Sequence, residues 1–188
     1  IYARPGQTAA QWSAELSAAF AMAADHLSLY QLTIEPNTGF AGAVKRGAFV
    51  PMGDDAGAEL YELTQTLCNE AGMPAYEISN HAVPGGESRH NLVYWRYGEY
   101  AGIGPGAHGR MHQAGNIIAT ANLRKPETWL DDVEAHGVGR ETTDALSPRD
   151  QAVEMAMMGL RLSEGISAAR YAALAGAPLN RDAIDELC

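Results

Sequence analysis

The residues best suited to chemistry lie in the stretch 89–100, which holds one histidine, two arginines, one tryptophan and three tyrosines. Aromatic residues make up only 7% of the chain, so this clustering is informative. His90 offers an imidazole ligand for iron, and Arg89 and Arg96 can pair with carboxylates. Flat, polarizable faces for a planar macrocycle come from Tyr94, Trp95 and Tyr97. The same composition also fits core aromatics, a histidine and an asparagine that hydrogen-bond a turn, and solvated arginines.

The next candidate is the segment 102–109, which is rich in glycine and contains His108. Glycine permits positive φ and a close approach of the backbone to a ligand, so this segment is a candidate ligand-binding turn. Its spacing differs from that of a dinucleotide-binding loop, and Pro105 lacks the N–H group that a phosphate cradle uses. An ordinary tight connection is the alternative interpretation.

Hydrolytic and metal-cluster chemistry have little support elsewhere in the chain. The acidic pairs at residues 54–55 and 131–132 are adjacent in sequence, which indicates solvated surfaces, and no G-x-S-x-G or H-E-x-x-H motif is present. Cys68 and Cys188 are the only cysteines, too few for a thiolate-held cluster. We expect Cys68 to be a buried, unreactive side chain.

The elements that must position these groups begin as alternating strands and helices. In chain order the pattern predicts a strand at 1–2, a helix over 8–24, a strand over 26–34, an irregular connection over 35–53, a helix over 54–72 and a strand over 74–79. This α/β order is typical of the closing portion of a partial parallel barrel, in which ligand-handling residues gather at the carboxyl ends of strands. By that rule the strand ends indicate Ile1, Tyr2, Thr33 and Glu35.

After Asn122 the sequence pattern changes to a series of predicted helices. We therefore predict an α/β portion over residues 1–122 and a small helical C-terminal domain over 123–188. Its helices are expected at 126–135, from 148, at 167–176 and from 180, with caps at Ser147, Ser167 and Asn180. Helix-turn-helix spacing raises a DNA-binding interpretation for this domain. Residues 127–188 carry 12 acidic and 5 basic side chains, which favours a helical cap beside the barrel instead.

Length and charge limit the classes of function. The chain has 188 residues, 46% of them hydrophobic, which is enough for one core and a small second unit. Its net charge of −10 disfavours nucleic acid and anionic membrane surfaces as partners. The sequence shows neither an apolar run of the roughly 20 residues that a bilayer span requires nor a signal pattern at its start. We expect a cytoplasmic protein, of which this sequence is an interior and C-terminal piece.

Five segments, in register, resemble one family of proteins. They are 1–8, 27–38, 76–79, 89–95 and 102–109, and they are similar to radical S-adenosylmethionine proteins related to the oxygen-independent coproporphyrinogen III oxidase. The similarity is greatest to the HemW-type haem chaperones. Its specific part is the H-N-x-x-Y-W element, because this element is associated with the chaperone branch and argues against oxidase activity.

The resemblance implies a partial (β/α) barrel that holds a [4Fe–4S] cluster and S-adenosylmethionine at its open end. The cluster ligands of the family belong to a C-x-x-x-C-x-x-C loop, which this sequence does not contain. The positions implied for the S-adenosylmethionine cavity are Ile1, Thr33 and His108. The positions implied for haem are His90, which would ligate the iron, and Asn91, Tyr94 and Trp95.

The function expected from this resemblance is that of a haem chaperone, which binds haem and delivers it to a client hemoprotein. Membrane contact is expected only through such a client. A second hypothesis is a true enzyme, the oxidase that decarboxylates two propionates of coproporphyrinogen III. A third is that the acidic helical domain mainly docks a partner while the barrel serves as a scaffold.

Overall fold

The computed structural model describes residues 1–179 and divides into two compact units, the first running from Ile1 to Ser88 and the second beginning at Arg89. The predicted boundary at residue 122 remains a prediction. The expected cap at Asn180 and the helix after it lie outside the described residues, as does Cys188.

The first unit places helices on a small antiparallel sheet of order β1-β3-β2. Its elements are α1 (Ala9–Met22), β1 (His26–Ser28), α2 (Gly39–Lys45), α3 (Asp54–Glu70), β2 (Ala75–Glu77) and β3 (Asn80–Ala82). Both long helices were predicted. Thr8 and Gln11 form the capping box that starts α1, since the Thr8 hydroxyl accepts from the Gln11 N–H and the Gln11 side chain accepts from the Thr8 N–H.

Two predictions for the first unit need correction. The strand expected over 26–34 is regular only in β1, after which the chain touches Tyr2 through one parallel bridge at Gln31. The connection expected to be irregular over 35–53 contains the short helix α2, whose first turn is capped by the hydroxyl of Thr38. β2 and β3 form a tight hairpin that the periodicity did not indicate.

The core of the first unit lies where α1 meets α3. Trp12 stacks on Tyr2 with ring centroids 5.1 Å apart, and its indole N–H donates to the Thr64 hydroxyl at 2.8 Å. Leu16 and Cys68 are completely buried beside this pair, which confirms the prediction for Cys68.

The second unit contains a three-stranded antiparallel sheet whose strands pair in chain order, and its core joins Ile117 of the sheet to Tyr97 and Met155. Its elements are α4 (Arg89–Trp95), β4 (His108–Gln113), β5 (Asn116–Asn122), α5 (Pro126–His136), β6 (Arg140–Ala145), α6 (Pro148–Gly159) and α7 (Ala168–Ala175). The predicted starts of α5, α6 and α7 are confirmed. The predicted helical C-terminal domain also contains one strand that was not predicted, since β6 lies between α5 and α6 and pairs with β5.

Candidate functional site

The candidate site starts on α4, the short helix that carries the H-N-x-x-Y-W element. The chain leaves this helix through Tyr97, which has a positive φ of 50°. The guanidinium of Arg170 in α7 donates to the carbonyl oxygens of Arg96 and Tyr97. These bonds satisfy carbonyls that a helix end leaves without an intrahelical partner, and they hold the end of α4 in place.

A row of aromatic rings runs from α4 to the segment that follows it. The rings of His90 and Tyr94, one helical turn apart, meet edge to face with centroids 4.9 Å apart. The ring of Tyr94 meets that of Tyr100 at 4.4 Å, again edge to face. Edge-to-face contact is a favoured geometry for aromatic pairs, so Tyr94 packs favourably between the His90 and Tyr100 rings.

The glycine-rich segment folds back against the start of β4, and this close approach explains two of its glycines. Tyr100 and Arg110 exchange two backbone hydrogen bonds of 2.8 Å. A methyl group on Gly102 would collide with the carbonyl oxygen of His108, and one on Gly109 would lie 2.6 Å from the Thr120 hydroxyl. The chain therefore needs glycine at both positions to form this turn.

Asn122 anchors the same segment from β5. Its side-chain amide donates to the carbonyl oxygens of Gly102 and Gly104, at 3.3 and 2.8 Å, and its backbone N–H donates to Ala107 at 2.9 Å. The side chain is 8% exposed. Sequence reasoning missed this residue, because nothing near Asn122 in sequence indicates that it binds a loop some twenty positions earlier.

These parts enclose an open cleft of about 380 Å³. It is lined by His90, Tyr94, Tyr100, Ala101, Gly102, Ile103, Ala107 and His108. The structure thus brings together three predicted site residues from the two motifs, His90, Tyr94 and His108. On the lining, Ile103 is 87% exposed and presents apolar surface to solvent.

Two residues of the H-N-x-x-Y-W element do not line this cleft. Trp95 lies against another cavity of about 180 Å³ formed with α6 and α7, and its ring lies under the guanidinium of Arg161 at 4.5 Å. Its indole nitrogen is buried without a hydrogen-bond partner among the described residues. Asn91 is half-buried on α4. Their predicted contact with haem stays a prediction, and the geometry places neither in the cleft.

Beside the cleft, Glu154 of α6 organises a polar cluster. Its carboxylate accepts two hydrogen bonds from the Arg110 guanidinium, at 2.8 and 3.0 Å, and one from the Tyr97 hydroxyl at 3.0 Å. The bond from Arg110 lowers the pKa of Glu154, while burial and the nearby carboxylate raise the pKa of Tyr97. Arg110 is thereby held on the strand that continues from His108. No sequence signal joined these distant positions.

The remaining predicted positions lie in the first unit. Ile1 is 66% exposed, and Thr33 is exposed in the segment after β1. Their role in an S-adenosylmethionine cavity, together with His108 of the second unit, stays a prediction.

Iron–sulfur ligation does not fit the residues of the described chain. Burial raises the pKa of the Cys68 thiol to about 11, so this cysteine stays protonated at neutral pH. Within residues 1–179 no group of three or more metal-ligating side chains (His, Cys, Asp or Glu) is assembled. The same range contains no helix with the length and apolar character needed to cross a membrane.

The chain is similar to known proteins in both sequence and fold. A family described as the HemN C-terminal domain matches residues 146–185. The chain is 36% identical to the zebrafish (Danio rerio) protein named "Radical S-adenosyl methionine domain-containing protein 1, mitochondrial", over 89% of this chain and 38% of that protein. It is 35% identical to the Escherichia coli protein named "Heme chaperone HemW", over 94% of this chain and 44% of that protein.

A third relative, the Bacillus subtilis protein named "Heme chaperone HemW", is 32% identical over 96% of this chain and 46% of its own length. The chain therefore spans less than half the length of these curated relatives. Among solved structures, coproporphyrinogen III oxidase (HemN) from Escherichia coli superposes with a TM-score of 0.65 at 19% identity, covering 86% of this chain and 39% of the other. This superposition confirms the predicted α/β fold class.

Proposed function

Because this chain belongs to the radical S-adenosylmethionine family that includes HemW and coproporphyrinogen III oxidase, we propose that the full-length protein is a haem chaperone. It would bind haem and deliver it to client hemoproteins. The observation that carries this proposal is the cleft that joins His90 and Tyr94 of α4 to the glycine-rich segment.

The chemistry of the cleft suits a tetrapyrrole that must be released again. Its volume of about 380 Å³ lies at the lower end of small-molecule sites, which hold roughly 300–1,000 Å³, so a macrocycle would be covered only in part. The edges and faces of Tyr94 and Tyr100 and the exposed side chain of Ile103 provide apolar contact. An imidazole nitrogen of His90 would ligate the iron.

Arg89 and Arg96 are the two arginines that could bind the haem propionates, and only one of them is paired with a carboxylate of the described chain. Arg96 already pairs with Glu164 through two hydrogen bonds of 2.8 Å. Arg89, at the start of α4 beside His90, is exposed. We therefore assign the propionate contact to Arg89.

Relatives named as haem chaperones, at 32–35% identity over most of the chain, favour this function over that of the oxidase. The oxidase is supported by the match of residues 146–185 to the HemN C-terminal domain and by a fold likeness at 19% identity. The proposal includes S-adenosylmethionine and a [4Fe–4S] cluster bound by the full-length protein, with cluster cysteines outside this sequence. S-adenosylmethionine on a reduced cluster supplies radical chemistry when bound. Within this chain, Ile1, Thr33 and His108 stay proposed neighbours of S-adenosylmethionine.

The partners of the proposed chaperone are haem and a client hemoprotein, with membrane contact only through the client. A cytoplasmic location remains part of the proposal.

Replacement of His90 tests the proposed function. In the full-length protein, His90→Ala should weaken haem binding and change the absorption spectrum of the bound haem, because the iron loses an axial nitrogen. The matched control is His136→Ala, since His136 is exposed on α5 and pairs with Asp132 away from the cleft. Unchanged affinity and spectrum in the His90 variant would remove this residue from haem binding.

A further inference from the structure

The same cleft contains a second imidazole that the haem motif does not include. We propose that His108 supplies the other axial ligand, so that haem bound in the cleft is held by His90 and His108 together. This inference rests on the proposed function. It assigns His108 to the iron of the cargo, beyond its expected place beside S-adenosylmethionine.

The backbone of His108 is held firmly while its imidazole remains free. His108 opens β4 opposite Ala121 of β5, and its carbonyl group packs against Gly102. Its side chain is exposed to the cleft and takes part in no hydrogen bond with the residues that the structure describes. The imidazole nitrogens of His108 are therefore available to bind a metal ion.

His90 is the second histidine that can bind the same iron, because it lines the cleft from a different element. It projects from α4, whereas His108 projects from the strand that follows the glycine-rich segment. Its imidazole contacts the ring of Tyr94 edge to face and makes no hydrogen bond within residues 1–179. Two imidazoles from two elements can approach an iron from its two faces, whereas neighbours on one helical turn cannot.

The other histidines are either buried away from the cleft or bonded to another side chain. The chain has six histidines, all within the described residues. His26 bonds the Tyr76 hydroxyl at 2.9 Å, and His81 is 1% exposed in the first unit. The remaining two pair with carboxylates at 2.8 Å, His112 with Glu99 and His136 with Asp132. Of the six, only His90 and His108 line the cleft.

Ligation requires no redox step. Each neutral imidazole donates a nitrogen lone pair to the iron and displaces a water or solvent ligand, and no electron changes hands. Ligation by two imidazoles favours six-coordinate, low-spin ferric haem, whereas one imidazole leaves a five-coordinate or water-bound iron that is high-spin. The two arrangements are distinguished by absorption and electron paramagnetic resonance spectroscopy.

The experiment adds one equivalent of ferric haem to the full-length protein and records both spectra. The wild-type complex should be low-spin, and His108→Ala should shift it to high-spin, with free imidazole restoring the low-spin form. His108→Gln, which keeps a polar side chain of similar size, should behave like the alanine variant. His112→Ala, on the same strand, should leave the spectra unchanged.

The outcomes separate this inference from the function on which it rests. Low-spin spectra in both His108 variants, with a change only in His90→Ala, would overturn the role of His108 and leave the haem-binding cleft intact. A wild-type complex that is high-spin would overturn it as well. Failure of the wild-type protein to bind haem would overturn both proposals.

Discussion

Glu154 connects three parts of the second unit through its side chain. One carboxylate on α6 satisfies the Arg110 guanidinium from β4 and the Tyr97 hydroxyl from the end of α4. Both charged side chains are about a fifth to a quarter exposed, so water screens their attraction only in part. Loss of the carboxylate would leave a cation and a hydroxyl without their partner.

We predict that Glu154→Ala lowers the free energy of unfolding by about 2 kcal/mol, because the partly buried Arg110 guanidinium and the buried Tyr97 hydroxyl lose their acceptor. Urea unfolding measures this cost. Glu134→Ala, which removes an exposed carboxylate from α5, is the control and should change stability by less than about 0.5 kcal/mol. Equal losses in the free energy of unfolding for the two substitutions would show that Glu154 stabilises the fold no more than an exposed carboxylate does.

The same cluster makes stability depend on pH. The pKa of Glu154 is lower in the folded chain than its ordinary value of 4.5, chiefly because of the Arg110 hydrogen bond. Its contribution is therefore present above the ordinary pKa and is lost as pH falls through the folded value. Glu154→Gln should accordingly lose less stability than the wild type when urea unfolding is repeated between neutral pH and pH values below 4.5.

At the scale of elements, hydrogen bonds hold the glycine-rich segment against β4 and β5, where it forms one wall of the cleft. The segment is tied to β4 by the Tyr100–Arg110 bridge and to β5 by the Asn122 amide. Because loops hold few contacts of their own, these ties fix where His108 and Ile103 lie. A side chain at Gly102 would push the segment away from β4.

We predict that Gly102→Ala destabilises the protein by about 2 kcal/mol, because the new methyl group overlaps a backbone oxygen that cannot rotate away. Amide hydrogen exchange should rise in residues 101–110, and haem affinity should fall. Gly39→Ala is the matched control, since no atom lies within 4 Å of the added methyl group and its φ is ordinary. Wild-type exchange in the Gly102 variant would contradict the close packing.

At the scale of the whole molecule, both the net charge and the fold argue against binding to nucleic acid. The chain carries a net charge of −10, and in the second unit Met155 of α6 packs in one core with Ile117 of β5. Acidic surfaces repel phosphate backbones. The helices α6 and α7 carry one arginine each, Arg149 and Arg170, so these two described helices form no basic stripe. The helices α6 and α7 instead pack against each other. Because Gly159 of α6 has no side chain, Ile166, which precedes α7, lies in close contact with the α6 backbone.

We predict that this chain, with its net charge of −10, does not bind double-stranded DNA at physiological salt, because counterion release requires a basic face. Fluorescence anisotropy of a labelled duplex should stay constant on titration with the protein. The same duplex with a basic DNA-binding protein serves as the positive control. A salt-dependent rise in anisotropy would contradict the electrostatic argument.

Local sequence signals predicted the helices well where they carry their own start and stop residues. Thr8 with Gln11, Ser147 followed by Pro148, and Gly176 in the left-handed conformation mark helix ends through contacts only a few residues apart. The hairpin of β4 and β5 was missed, although Ala114 and Gly115 take the positive φ values of a tight turn. β6 was missed because all six of its residues are exposed and show no apolar alternation.

The sequence by itself determined the α/β class, the main helices, the family and the two motifs that contain His90 and His108, since these depend on residue types close together in the chain. Only the tertiary structure decided that His90, Tyr94 and His108 share one cleft while Trp95 packs elsewhere. It also decided that Arg110 meets Glu154 and that Asn122 holds the glycine-rich segment. Such pairings join residues far apart in sequence, and they arise from the way strands and helices pack, which no local pattern encodes.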